Sequence, residues 1–210
     1  MNQYSPQEER LNVLSHATGF LLSILAFILL LVKTIPQGNT TNTISVTIYG
    51  LSLIVLYAAS TLYHNAKAPK LRKRLKIFDH AAIFLLIAGT YAPYSLITLK
   101  GTTGIIIFSV VWGVAFFGIA LKLFFTGRFK VLSTIMYVLM AWVIVFAVQP
   151  LMENLSADGL FWLAAGGAAY MLGALLYNID KLKFNHAIFH IFVLIGSYCH
   201  FHSIYNFVLK

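Results

Sequence analysis

Seven apolar runs, joined by short polar connections, restrict what this chain can fold into more than any other feature. They lie at Leu11–Val32, Thr43–Tyr63, Phe78–Leu99, Gly104–Phe125, Val131–Leu151, Leu160–Asn178 and His186–Val208. A hydrocarbon core about 30 Å thick is crossed by roughly 20 helical residues. In lipid the backbone must satisfy its own hydrogen bonds, which a helix does within one segment. Composition agrees: 60% of the 210 residues are apolar and 10% charged, against about 45–50% and about 25% in a soluble domain. A soluble fold of this size could not hide so much apolar surface. The expected architecture is an all-α polytopic membrane protein: one seven-transmembrane-helix bundle over residues 1–210, with no separate soluble domain and no fixed-period repeat.

The first run is too long for a signal-peptide core, Glu8 and Glu9 precede it, and no small-x-small cleavage site follows. It is expected to stay as a signal anchor. A single cysteine, Cys199, excludes an internal disulfide.

A net charge of +9 suggests nucleic acid until the cations are placed. Lys67, Lys70, Arg72, Lys73, Arg74 and Lys76 fill the connection between runs two and three. Lys122, Arg128 and Lys130 flank the connection between four and five, and Lys181 and Lys183 lie between six and seven. With Arg10, twelve cations fall on one side; only Lys33, Lys100 and Lys210 fall on the other. The asymmetry predicts a cytoplasmic N-terminus and an outside C-terminus in a multi-pass cell-membrane protein. The basic connections read as topogenic, compatible with anionic head groups and not with nucleic acid.

Seven histidines stand out, because ionisable residues are costly in hydrocarbon and tend to mark function. In this topology His64 ends run two, Asp79 and His80 begin run three, and His186 and His190 begin run seven. All five share the cytoplasmic layer. His186 and His190 are spaced i, i+4, so both imidazoles lie on one helix face, the spacing by which zinc metalloproteases present two ligands. Ser60 and His64 share that spacing. Three histidines suit zinc and leave a fourth position open for water. Asp79 is a candidate general base, and Ser60 a candidate donor to bound water or a developing oxyanion. A lone interfacial histidine is more often a hydrogen-bonded packing residue. The shared depth of three histidines and a carboxylate favours the metal.

The other histidines fit less well. His16 is an alternative ligand or, more in keeping with its place, a structural hydrogen-bonding residue. His80 points about 100° from Asp79 on a helix, and His200 lies about 21 Å along the axis from His186. His200 and His202 are expected to serve packing or the outer end of a cavity. Gly166, Gly167 and Gly173 are expected to let run six approach a neighbour closely. Pro93 should bend run three near Gly89. Trp112, Trp142 and Trp162 read as anchors or packing residues, and Cys199 as a small buried hydrophobe.

The chain resembles the hemolysin III family, the bacterial branch of the progestin and adipoQ receptor superfamily, over nearly its whole length. The residues that carry the resemblance are Glu9-x-x-Asn12-x-x-Ser15-His16-x-x-Gly19 and Ser60-x-x-x-His64, then Phe78-Asp79-His80 leading into Ala88-Gly89-Thr90-Tyr91-Ala92-Pro93, and finally His186-x-x-x-His190 followed by His200-Phe201. The resemblance implies seven helices with a cytoplasmic N-terminus, and zinc held by His64, His186 and His190. It puts Asp79 on the metal through water, with Ser60 alongside. Adiponectin receptors and alkaline ceramidases look like relatives with the same site, which implies hydrolysis of a lipid amide or ester. The family is also linked to membrane homeostasis, and its haemolytic name is no sign of a pore. Two rivals remain: a receptor or membrane-state sensor with structural zinc, and a channel or transporter. The second is disfavoured because its polar residues would sit near the midplane at broken helices, whereas run three carries the only obvious break.

Overall fold

A computed structural model describes residues 4–125, 130–179 and 181–209; the side chains of Lys130 and Val131 are not among those described. Arg128 and Lys210, two of the cations counted above, lie outside the described residues, as does the side chain of Lys130. Eight α-helices follow in order: α1 Pro6–Thr34, α2 Thr40–Asn65, α3 Pro69–Pro93, α4 Gly101–Phe124, α5 Lys130–Trp142, α6 Val148–Asn154, α7 Ala157–Tyr177 and α8 Asn185–Ser203. No strand occurs among the described residues. Helices α5 and α6 form one span, so seven spans are long and apolar enough to cross a membrane. The protein is a multi-pass membrane protein.

Helix α3 is central, with 78% of its apolar window inside the bundle, against 50% for α2 and α8 and 22% for α1. Helix α2 packs between α1 and α3, α8 packs on α1 and α7, and α4 and α5 cover α3 from the other side. The buried face of α1 is Glu8, Asn12, His16, Gly19, Ser23, Leu30 and Thr34. Its exposed face carries Leu11, Leu14, Leu21, Leu22, Leu25, Ile28 and Val32. This is the soluble pattern turned inside out: lipid takes the leucines, and polar residues find partners only in the bundle.

Three readings from sequence need correction. Helix α3 begins at Pro69, so only Ala66–Ala68 connect it to α2. Of the six cations placed in that connection, all but Lys67 ride on the first turns of α3, because Pro at the first helical position and a chain of good helix formers extend it beyond the apolar run. Pro93 ends α3, and the ladder switches to a π segment over Tyr94–Leu99, downstream of the proline and not at Gly89. Gly89 instead sits against Ser52 and lets α2 and α3 touch. Run three is also not the only broken run. Span five passes through a 3₁₀ segment at Val143–Ala147, just before Pro150, whose missing N–H removes the bond to the residue 146 carbonyl. At the start of that segment the Tyr91 hydroxyl enters the ladder: it accepts from Ile144 N at 2.9 Å and donates to the Met140 carbonyl at 2.8 Å.

The glycines of α7 divide. A Cβ at Gly166 would meet the His200 ring, and one at Gly173 would meet Phe192, while Gly167 faces open space. Of these three, Gly166 and Gly173 are the ones that close approach to α8 requires.

Candidate metal centre

Helices α2 and α8 bring three buried histidines together. His64 is the last turn of α2, and His186 and His190 are one turn apart at the start of α8. Ring centroids are 4.8 Å apart for His64 and His186, 5.1 Å for His64 and His190, and 4.5 Å for His186 and His190. One ligand atom from each lies within 4.8 Å of the others. The group can hold a metal ion.

The first turns of α1, with Tyr4 just before them, decide which nitrogens face inward. His64 Nδ1 donates to Glu9 Oε2 at 2.7 Å. His190 Nδ1 donates to the Asn12 carbonyl at 3.3 Å, with the Ser15 hydroxyl at the same distance. A carboxylate and a backbone carbonyl only accept, so both Nδ1 atoms carry the proton and both Nε2 atoms carry a lone pair. His186 Nδ1 lies 2.6 Å from the Tyr4 hydroxyl. Tyr4 in turn lies 3.5 Å from Tyr177, so it can accept from His186 and pass its own proton on. Burial pushes the Tyr4 phenol well above its usual pKa, and it stays protonated. Three Nδ1 atoms are thus engaged, leaving three Nε2 atoms. The buried His64 Nε2 has no hydrogen-bond partner among the described residues. Leaving such a group unpaired costs about 1–3 kcal/mol, and a metal would satisfy it. Hydrogen-bonded Nδ1 with a free Nε2 is the arrangement that orients histidine ligands. The residues present fit a metal.

Helix α8 also depends on α1 for its start. Its N-cap is Phe184 in the left-handed region, with φ 59° and no side-chain cap. Glu8 Oε1 accepts from His186 N at 3.3 Å instead, fixing the His186 backbone.

Ser60 sits one turn before His64, and its hydroxyl lies beside the Asp79 carboxyl without reaching hydrogen-bond geometry to any described group. Asp79 is buried and lies outside the three-histidine group. His80 is half-buried, and its carbonyl accepts from Tyr137 at 2.8 Å.

His16 does not make the hydrogen bond expected of it. Its ring stacks flat on His190, with centroids 3.4 Å apart and planes at 9°, and meets the Tyr57 ring edge-on at 5.1 Å. Neither ring nitrogen has a partner among the described residues. His200 packs against Gly166, and its Nε2 donates to the Leu163 carbonyl at 3.2 Å; His202 lies on Trp162. Cys199 is buried and free. A cavity of about 450 Å³ opens at the opposite end of the bundle, lined by Asn39, Asn42, Lys100 and Asn154 among others, away from the histidines.

A family model described as haemolysin-III related matches residues 4–201. The chain belongs to this family. It is 44% identical to Hemolysin-3 of Bacillus cereus over 203 residues, covering 97% of this chain and 93% of that one. It is 41% identical to the Hemolysin-3 homolog of Bacillus subtilis over 207 residues, covering 99% and 97%. The human monocyte to macrophage differentiation factor is 28% identical over 169 residues, covering 78% of this chain and 70% of its own. The family match covers α1 through most of α8, so every residue of the histidine cluster falls within it.

The structure brings His64, His186 and His190 together, in keeping with the common depth read from the sequence, and sets Ser60 beside Asp79. Sequence reasoning gave no role to Tyr4, Glu8, Glu9, Asn12 and Ser15, which surround the histidines. Their signal was present as polar residues at spacings of three and four that lead from the polar N-terminal segment into the first apolar run.

Proposed function

We propose that this membrane protein is a zinc-dependent hydrolase of a lipid amide or ester, linked to membrane homeostasis. The observation that supports it most is that the Nδ1 atoms of His64 and His190 bond to acceptors on α1 and that of His186 to the Tyr4 hydroxyl just before it, which turns the Nε2 side of each ring to the others in one buried group. His64, His186 and His190 would be the ligands. Zinc there would supply an electrophile for a carbonyl, acidity for water, and an open fourth position.

This chain's own residues would do the rest. The Asp79 carboxylate takes the proton of the attacking water and returns it to the leaving group. The Ser60 hydroxyl, unpartnered and one turn from His64, donates to the carbonyl oxygen as charge develops there. Bundle burial excludes bulk water, and the membrane supplies a substrate whose acyl chain is already in hydrocarbon. A second reading, a sensor with structural zinc and no turnover, draws support from Tyr4, whose ring packs edge-on against His186 at 4.6 Å and adds to the packing around the cluster.

Purified protein should carry about one zinc per chain, with metal–nitrogen distances of about 2.0–2.1 Å, and His190→Ala should lose most of it. Asp79→Asn should fold, keep zinc and lose fatty-acid release from ceramides or other acyl lipids by roughly a hundredfold or more. No release from any substrate by zinc-loaded wild type would favour the sensor reading over the hydrolase. Unchanged zinc in alanine variants of all three histidines would refute both.

A further inference from the structure

We propose that Arg72 is a positioning residue of the histidine cluster, acting through Glu9 on the ring of His64. This rests on the metal reading above for one of its two tests and on hydrogen bonding alone for the other. By sequence Arg72 is one of six cations near the end of α2, all explained by topology. Its contacts set it apart. The guanidinium Nη2 donates to Glu9 Oε1, while the other oxygen of that carboxylate accepts from His64 Nδ1 at 2.7 Å. Nη1 reaches the carbonyls of Tyr63, His64 and Ala66 at 3.4, 3.3 and 3.4 Å. The guanidinium also lies 4.7 Å above the Tyr63 ring.

One side chain therefore holds both ends of His64. It caps the open carbonyls at the end of α2, where a cation is favoured, and so fixes the histidine backbone. It also turns the Glu9 carboxylate toward the imidazole, and so fixes the ring. The side chain of His64 is fully buried, while those of Glu9 and Arg72 are 20% exposed. Glu9 is thus the bridge between a buried ring and a cation at the rim. Without Arg72, Glu9 loses its counter-charge and is free to turn to water. His64 then lacks the acceptor that keeps the proton on Nδ1, and its other tautomer puts a proton on the nitrogen that faces His186 and His190. Lysine cannot replace the contact fully, because a point charge cannot serve the carboxylate and three carbonyls with one planar fork. Lys73, one residue on, is exposed and has no such contacts among the described residues.

The test uses the full chain in detergent, zinc competition against a chelator, and ¹⁵N spectra of His64 in the zinc-free protein. Removing an outer partner of a metal ligand typically costs about 10–100-fold in affinity. Arg72→Gln and Glu9→Gln should each fall in that range, and the double variant should be no weaker than Glu9→Gln alone. Arg72→Lys should lie between wild type and Arg72→Gln, and Lys73→Gln should match wild type. In zinc-free wild type His64 should carry its proton on Nδ1, and in Arg72→Gln both tautomers should appear. If Arg72→Gln does not fold, Arg72→Lys carries both measurements. Affinity within twofold of wild type in Arg72→Gln would overturn the proposal, as would unchanged affinity in Arg72→Lys where Arg72→Gln does not fold, additivity with Glu9→Gln or an equal loss in Lys73→Gln. If wild type takes up no zinc, the metal reading has failed, and the tautomer of His64 alone decides the role of Arg72.

Discussion

The hydroxyl of Tyr91 is inserted into the backbone ladder of span five, and removing it gives a test of the fold with a magnitude that can be worked out. Met140 O and Ile144 N are four residues apart and would bond directly in an unbroken helix. Tyr91 stands between them, accepting from Ile144 N at 2.9 Å and donating to Met140 O at 2.8 Å, with Ala141 O at 3.1 Å. Tyr91→Phe removes both bonds at a site only 7% exposed. Side-chain hydrogen bonds within membrane bundles average about 0.6 kcal/mol in coupling measurements. Here one deletion strands both an N–H and a C=O, each costing about 1–3 kcal/mol unpaired. A loss of about 2–4 kcal/mol is expected; at roughly 2–4 °C per kcal/mol for this chain length, the melting point should fall by at least 4 °C. Tyr137→Phe is the control. Its hydroxyl makes one bond, to the His80 carbonyl at 2.8 Å, and its removal should cost about 0.6 kcal/mol. Thermal unfolding in detergent and hydrogen exchange at Ile144 read the outcome. Equal melting points for the two variants would refute the reasoning, because the helical bond would then have closed without cost.

Reporter fusions should place the short Ala66–Ala68 connection in the cytoplasm and the C-terminus outside, as the twelve-to-three cation count implies; a cytoplasmic C-terminal reporter would refute that orientation. Gly166→Val should destabilise the protein by about 1–3 kcal/mol, since the new Cβ meets the His200 ring and the Gly196 carbonyl. Gly167→Val, one residue along and facing open space, should be nearly neutral in the same thermal assay.

Much of the architecture was legible because lipid imposes it. Run length sets the spans, and the observed spans Gly101–Phe124 and Asn185–Val208 begin or end within three residues of the runs read from hydropathy. The i, i+4 pairs Ser60/His64 and His186/His190 were legible for a similar reason: helix geometry fixes which side chains share a face. The backbone changes were harder. Pro150 lies inside run five, and its effect appears several residues earlier, at Val143–Ala147. At the start of that segment Tyr91 of α3 takes Ile144 N and the Met140 carbonyl, and nothing in the sequence of span five reports that neighbour.

The contribution of α1 shows where reading by residue type stops. By its length and flanks run one reads as an anchor, and the histidines stand out because ionisable groups are rare in hydrocarbon. Yet the acceptors that set the histidine tautomers are Glu9 and the Asn12 carbonyl, 55 and 178 residues away in sequence from the rings they hold. One of them is backbone, which no residue-type search can find. The informative pattern was periodic: Glu8, Asn12, His16, Gly19 and Ser23 recur at steps of three or four and form the buried face. In water such a stripe would face solvent. In a bilayer the apolar side is the outside, so the same stripe marks the side that faces the bundle. His64, His186 and His190 could have been joined to α1 by that rule alone, because a polar stripe at the N-terminal end of α1 has only other polar groups of that layer to meet.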